Sequence, residues 1–112
     1  MHCTVVGAGV SGLTCAVKLL EAGHQVEVLS DKFSPDTVSD VAAAIWYPFL
    51  TAPVNRSDPW GISTYAVLQG LARDEPESGV VMRDGREYLR EVVALPAWKD
   101  DIASFRVLET NE

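Results

Sequence analysis

Apolar and polar positions follow two different periods over the first thirty residues and then lose their regularity. Cys3-Thr4-Val5-Val6 is a short apolar-rich run that reads as a buried strand. From residue 11 to residue 22 the spacing becomes helical, with Val10, Leu13, Val17 and Leu20 on one stripe and Ala16 and Leu19 on an adjoining one. This pattern predicts an amphipathic helix with one face against a sheet, capped at its carboxyl end by Gly23. Residues 25–30 then alternate, Val26 and Val28 apolar against Gln25 and Glu27, which predicts a second strand. Strand, short helix, strand implies a right-handed parallel crossover.

After Asp31 the pattern breaks. Residues 32–37 read as a loop with Pro35 as its breaker. Residues 39–45 are small and apolar, and Ala42, Ala43 and Ala44 permit close approach of backbone. Trp46-Tyr47-Pro48 follows, and aromatics beside such a run read as ordinary packing before they read as a ligand wall. Residues 53–59 read as loop, with Asp58 as N-cap and Pro59 as first helical residue of a second helix over residues 60–73. Ile62, Tyr65, Leu68 and Leu71 mark its buried side. Residues 80–82 and 86–89 read as strands around Asp84-Gly85, a dipeptide suited to a two-residue hairpin turn, with a bulged single strand as the competing arrangement. Residues 94–102 are irregular, and residues 105–108 read as a last strand.

Composition narrows the classes. The 112 residues hold one domain's worth of chain or part of a larger one, and 47% hydrophobic content supports a packed core. No run approaches the length of a membrane span, and no secretory signal is evident, which fits an intracellular protein. Net charge is −7, shared as −3 over residues 1–50 and −4 over residues 51–112. With no basic block, nucleic acid and anionic membrane are not the expected partners. Cys3 and Cys15 read as buried free thiols, and His2 and His24 as surface histidines. No metal site is expected, because no ligand cluster has suitable spacing.

The chemistry lies in Gly7-Ala8-Gly9-Val10-Ser11-Gly12, between the first strand and the first helix. Gly7 permits the tight turn, Gly9 lets a pyrophosphate approach bare backbone, and Gly12 lets helix and sheet lie close. The helix amino terminus offers unpaired N–H groups and the positive end of its dipole. Asp31 lies nineteen residues after Gly12, where a carboxylate can accept hydrogen bonds from a ribose. These features together predict a dinucleotide-binding unit. The glycine turn alone does not choose between NAD and FAD.

Residues 1–31, with Val5-Val6-Gly7-Ala8-Gly9-Val10-Ser11-Gly12-Leu13, Ala16, Gly23 and Asp31 in place, resemble the amino terminus of flavoprotein oxidases of the glutathione-reductase-type FAD fold. Asp31-Lys32-Phe33-Ser34-Pro35 and Ser39-Asp40-Val41-Ala42-Ala43-Ala44-Ile45-Trp46-Tyr47-Pro48 are similar to the D-amino-acid oxidase family, as are Ala97-Trp98-Lys99-Asp100 and Ser104-Phe105-Arg106. The resemblance implies an α/β fold: a Rossmann-like FAD-binding βαβ unit followed by helix and strands of an incomplete two-domain oxidase. Residues 1–50 would be the amino-terminal part of the FAD-binding domain, and residues 51–112 would lead into the substrate domain.

Residue by residue, the resemblance implies that Gly7, Ala8, Gly9, Val10, Ser11 and Gly12 cradle the FAD pyrophosphate. Asp31 would hold the adenosine ribose with Lys32 beside it, and Thr37, Val38 and Ser39 would line the pyrophosphate. Ala43, Ala44 and Ile45 would pass the flavin ring. Ala44 stands where Gly is common, Ile45 where Leu is common and Tyr47 where Gln is common, and these departures bear on the shape of the pocket beside the flavin. No residue of this chain matches a catalytic position. Arg83, Arg86, Arg90 and Arg106 read as surface or strand-edge charges.

The implied reaction is oxidative deamination of a D-amino acid by dioxygen, giving a 2-oxo acid, ammonia and hydrogen peroxide. A complementary carboxyl-terminal part of the same oxidase would complete the sheet, and the chain alone is expected to be inactive and not to fold stably. The resemblance leaves homo-oligomerisation open, and leaves the location as cytoplasmic, or peroxisomal in a eukaryote. A D-aspartate oxidase, a glycine or sarcosine oxidase, an NAD-linked reductase and a non-catalytic nucleotide-binding module are the alternatives.

Overall fold

A computed structural model describes residues 1–91 and 93–108. The chain divides into two compact units, Met1–Ile45 and Trp46–Glu112.

The first unit opens with strand β1 (His2–Val6), helix α1 (Val10–Glu21) and strand β2 (Gln25–Leu29). β1 and β2 pair in parallel, with Val5 opposite Val28 and Val6 opposite Leu29. The crossover predicted from the alternation therefore forms, and the mixed α/β architecture begins with a β-α-β unit. Side chains alternate across the pair. Cys3, Val5, Val26 and Val28 are half-buried, whereas Thr4, Val6, Glu27 and Leu29 on the other face are exposed. A parallel sheet is ordinarily covered on both faces. Here one face meets α1 and the other leaves Val6 83% and Leu29 50% exposed.

Of the two stripes expected on α1, the adjoining one with Ala16 and Leu19 packs and the larger one does not. Gly12, Ala16 and Leu19 turn inward and Ala16 is buried, while Val10, Leu13, Val17 and Leu20 are exposed. Two strands are only about 5 Å apart, so they accommodate one narrow stripe, and its small residues bring the helix close. Cys15, expected inside, is exposed for the same reason, while Cys3 is half-buried; both thiols are free. His2 is exposed, as expected, and His24 is half-buried. Ala22 ends the helix and Gly23 follows at φ +81. The short helix α2 (Val38–Val41) lies beyond β2.

The second unit is built on helix α3 (Val54–Asp74). Its body matches the expected helix, but it begins five residues earlier than Asp58-Pro59 suggested. Pro53 caps it, and the N–H groups of Arg56 and Ser57 both donate to the Pro53 carbonyl at 3.0 Å. This closes a turn ahead of Pro59. Proline inside a helix removes one donor and disfavours the helical region for its predecessor, and α3 absorbs both within its second turn. Ile62, Tyr65, Leu68 and Leu71 are half-buried, as the spacing predicts.

Short 3-10 turns cover Pro76–Ser78 and Ala97–Asp100. The strands expected at 80–82, 86–89 and 105–108 are absent: these segments carry no ladder. Most of their side chains are exposed, Tyr88 to 86%. An isolated hairpin is marginal in water without a third strand or a helix to cover it. What organises this unit instead is an aromatic cluster. The Trp46 ring lies 4.8 Å from that of Tyr65 and 5.4 Å from that of Trp98. Phe105 stands edge-on to Trp98 at 6.1 Å. The Trp46 indole N–H donates to the Gly61 carbonyl at 2.8 Å. Trp46, beside the alanine run, packs into this cluster. Among the described residues no helix is long and apolar enough to cross a membrane.

Candidate nucleotide-binding site

The turn between β1 and α1 is shaped by what its glycines leave empty. Gly7 adopts φ +105, a conformation L side chains rarely adopt. A Cβ built on Gly12 would collide with the carbonyl oxygen of Gly7 and lie 2.9 Å from its carbonyl carbon, and it would stand 3.5 Å from Val5 Cγ1. Helix and strand end are therefore in backbone contact at this point. A Cβ on Gly9 would stand 3.0 Å from Ser39 Oγ. Ala8, between them, is only 3% exposed.

Gly9 is the N-cap of α1, and the first helical bond runs from the Leu13 N–H to the Gly9 carbonyl at 3.0 Å. The N–H groups of Gly9, Val10, Ser11 and Gly12 therefore lack acceptors within the helix. They converge with the positive end of the helix dipole at bare main chain, an arrangement suited to a phosphate. The Val10 N–H donates to Ser39 Oγ at 3.0 Å. The turn is joined to β2 as well: the Gly7 N–H donates to the Leu29 carbonyl at 2.7 Å and the Ala8 N–H to Ser30 Oγ at 3.2 Å.

Asp31 and Lys32, both exposed, leave the end of β2 beside this turn. The next segment is organised by Asp40. Its Oδ1 accepts from Ser34 Oγ at 2.7 Å, and its Oδ2 accepts from the Thr37 hydroxyl at 2.6 Å and the Thr37 N–H at 2.9 Å. The Thr37 hydroxyl, then the Ser34 hydroxyl, then the Thr37 N–H hold the Asp40 carboxyl below its usual range. This network fixes the start of α2, and α2 carries Ser39 to the glycine turn.

The structure thus gathers Gly7, Ala8, Gly9, Val10, Ser11, Gly12 and Ser39 at one place, with Asp31 and Lys32 adjoining. Thr37 is turned toward Asp40, and Val38 is exposed. Ala43, Ala44 and Ile45 are exposed irregular chain at the end of the unit. Two participants, Ser30 and Asp40, escaped the reading of the sequence. Thr37-x-x-Asp40 is a capping-box spacing and was available as a signal. Ser30 had none beyond its place before Asp31. Among the described residues no cluster of His, Cys, Asp or Glu could hold a metal ion.

The sequence model of the family DAO, FAD dependent oxidoreductase, matches residues 2–111. The chain belongs to this family. The D-amino-acid oxidase of Rubrobacter xylanophilus is 42% identical to it over 109 residues, covering 96% of this chain and 33% of the relative. The D-amino-acid oxidase of Dictyostelium discoideum is 31% identical over 111 residues, 96% of this chain and 32% of the relative. That of Streptomyces coelicolor is 37% identical over 81 residues, 72% of this chain and 25% of the relative. The chain spans about a third of the length of the first two relatives. The family is FAD-dependent, and the bare main chain of the glycine turn fits a dinucleotide's phosphates: a side chain at Gly9 would stand against Ser39 Oγ, and one at Gly12 would collide with the Gly7 carbonyl.

Proposed function

We propose that this chain supplies the FAD-binding segment of a D-amino-acid oxidase. The observation that carries this reading is the backbone contact of Gly12 with Gly7, which leaves α1's amino terminus open to a diphosphate beside Asp31. The N–H groups of Gly9, Ser11 and Gly12 hold the pyrophosphate, with Gly7, Ala8 and Val10 forming the bend that aims them. Asp31 accepts hydrogen bonds from the adenosine ribose, and Lys32 balances charge beside it. Ser39, anchored through Thr37, Val38 and the Asp40 network, closes the phosphate side. The main chain of Ala43, Ala44 and Ile45 would pass the flavin ring. Held by these residues, FAD would supply the redox chemistry: acceptance of a hydride from the α-carbon of a D-amino acid, and reoxidation by dioxygen, which is reduced to hydrogen peroxide. The residues of this chain bind and orient; none of them moves a proton.

In this reading residues 1–50 are part of the FAD-binding domain, and residues 51–112 lead toward the part that receives the substrate. The carboxylate-binding groups and the remaining strands come from sequence beyond these residues, and the assembled oxidase works inside the cell. The test uses the complete polypeptide that carries residues 1–112. It is expected to retain flavin absorbance through gel filtration and to release peroxide from D-alanine but not from L-alanine. Bound flavin with no peroxide from any D-amino acid would leave a nucleotide-binding module. Preference for D-aspartate, or for glycine or sarcosine, would move the assignment to those oxidases. Loss of flavin on the column would overturn the reading.

A further inference from the structure

The β1–β2 ladder does not stop at its last residue pair. Beyond Val6 opposite Leu29, the Gly7 N–H donates to the Leu29 carbonyl at 2.7 Å. The next rung is made by a side chain: the Ala8 N–H donates to Ser30 Oγ at 3.2 Å. Ala8 is buried, so this N–H needs a partner from the protein. The same oxygen donates its proton to the Lys32 carbonyl at 2.6 Å and is 3.4 Å from the Lys32 N–H. A serine hydroxyl has one proton to give and two lone pairs to receive, and here all its capacity is directed. One atom therefore holds the glycine turn on one side and brackets Asp31, from residue 30 to residue 32, on the other.

We infer that Ser30 is a positioning residue of the nucleotide site: its hydroxyl fixes the carboxylate of Asp31 in register with the N–H groups of the glycine turn. The inference rests on the proposed function, in which the turn holds a diphosphate and Asp31 the attached ribose. A ligand that engages both gains affinity only if their separation is fixed beforehand, and Ser30 is the shortest tie between them. Removing the hydroxyl leaves both binding groups in place but frees their relative position. Ser30 touches no ligand atom in this account.

The test measures ADP binding to the complete polypeptide by calorimetry after removal of flavin, because ADP carries the ribose and the diphosphate without the flavin ring. Ser30→Ala is expected to weaken ADP by about tenfold, and Ser30→Thr, which keeps the oxygen, to restore it. In an Asp31→Ala background Ser30→Ala should cost less than about twofold, since separation no longer matters when one of the two groups is lost. A general structural role would give the same loss in both backgrounds, and that result overturns the inference, as does wild-type affinity in Ser30→Ala. If Ser30→Ala does not fold, Ser30→Cys, of similar size but a poor acceptor, takes its place against Ser30→Thr, and equal ADP affinities overturn the inference. Absence of ADP and FAD binding in the unsubstituted protein would instead remove the proposed function itself.

Discussion

The Val10 N–H, in the first turn of α1, donates to the hydroxyl oxygen of Ser39 across twenty-nine residues of sequence. The contact seats α2 at the start of α1, where unpaired N–H groups and the helix dipole meet. It also sets the clearance above Gly9, whose built Cβ stands 3.0 Å from the same oxygen.

The first prediction concerns that clearance. The Ser39 hydroxyl can rotate aside, so Gly9→Ala should cost the fold only about 1 kcal/mol or less. The added methyl nevertheless stands where a diphosphate must reach main chain, and FAD affinity should fall by about a hundredfold. Fluorescence titration with FAD, alongside a urea melt of the complete polypeptide, separates the two effects.

Gly12 and Gly7 differ from Gly9 and from each other. At Gly12 the obstacle is the Gly7 carbonyl, which is backbone and cannot swing away. Gly12→Ala should cost about 3 kcal/mol or more, exceeding the gain of roughly 1 kcal/mol in helix propensity. At Gly7 the space is open but φ is +105, so Gly7→Ala should cost about 1–3 kcal/mol through backbone strain alone. Urea midpoints measured without cofactor should rank Gly12→Ala below Gly7→Ala, and the reverse order would count against the packing account.

Asp40 gives a pH prediction. Its folded carboxyl is held below the ordinary range by the Thr37 and Ser34 hydroxyls and the Thr37 N–H. A depressed folded pKa contributes stability that is complete above the unfolded value, about 3.9, and is lost as pH falls through the folded one. The segment carrying Ser39 should therefore loosen only below about pH 4. Asp40→Asn should loosen it at every pH and flatten that acid limb. Hydrogen exchange of the Thr37 and Val10 amides as a function of pH reads this directly.

The aromatic cluster gives a prediction independent of any ligand. Trp46→Phe removes the donor to the Gly61 carbonyl and part of the ring surface against Tyr65 and Trp98. A loss of about 1–3 kcal/mol is expected, with altered tryptophan emission and unchanged FAD affinity. A fall in FAD affinity would show that the cluster serves the site as well as the packing.

The amino-terminal unit was legible because its signals are local and agree with one another. Glycines at 7, 9 and 12 mark the turn, alternation at 25–29 marks β2, and the acid follows. The spacing marks both stripes of α1 as apolar, but two strands admit only the narrower one with Gly12, Ala16 and Leu19, and Val10, Leu13, Val17 and Leu20 stay exposed. Asp58-Pro59 is a sound start signal, but the helix runs back through residues read as loop to Val54, with Pro53 as its N-cap. Residues 80–82, 86–89 and 105–108 have strand-like composition, yet a strand needs a partner, and composition does not say whether one is present. Ser30 and Asp40 act through single oxygens whose partners lie in neighbouring segments, where periodicity carries no information about them.

The outer side of the β1–β2 pair presents Val6 and Leu29 to water, 83% and 50% exposed. Hydration of that surface penalises the unit for as long as it stays bare. A newly made copy would therefore be a substrate for chaperones and a hazard for self-association for as long as that surface is bare, and dye binding or turbidity would report it.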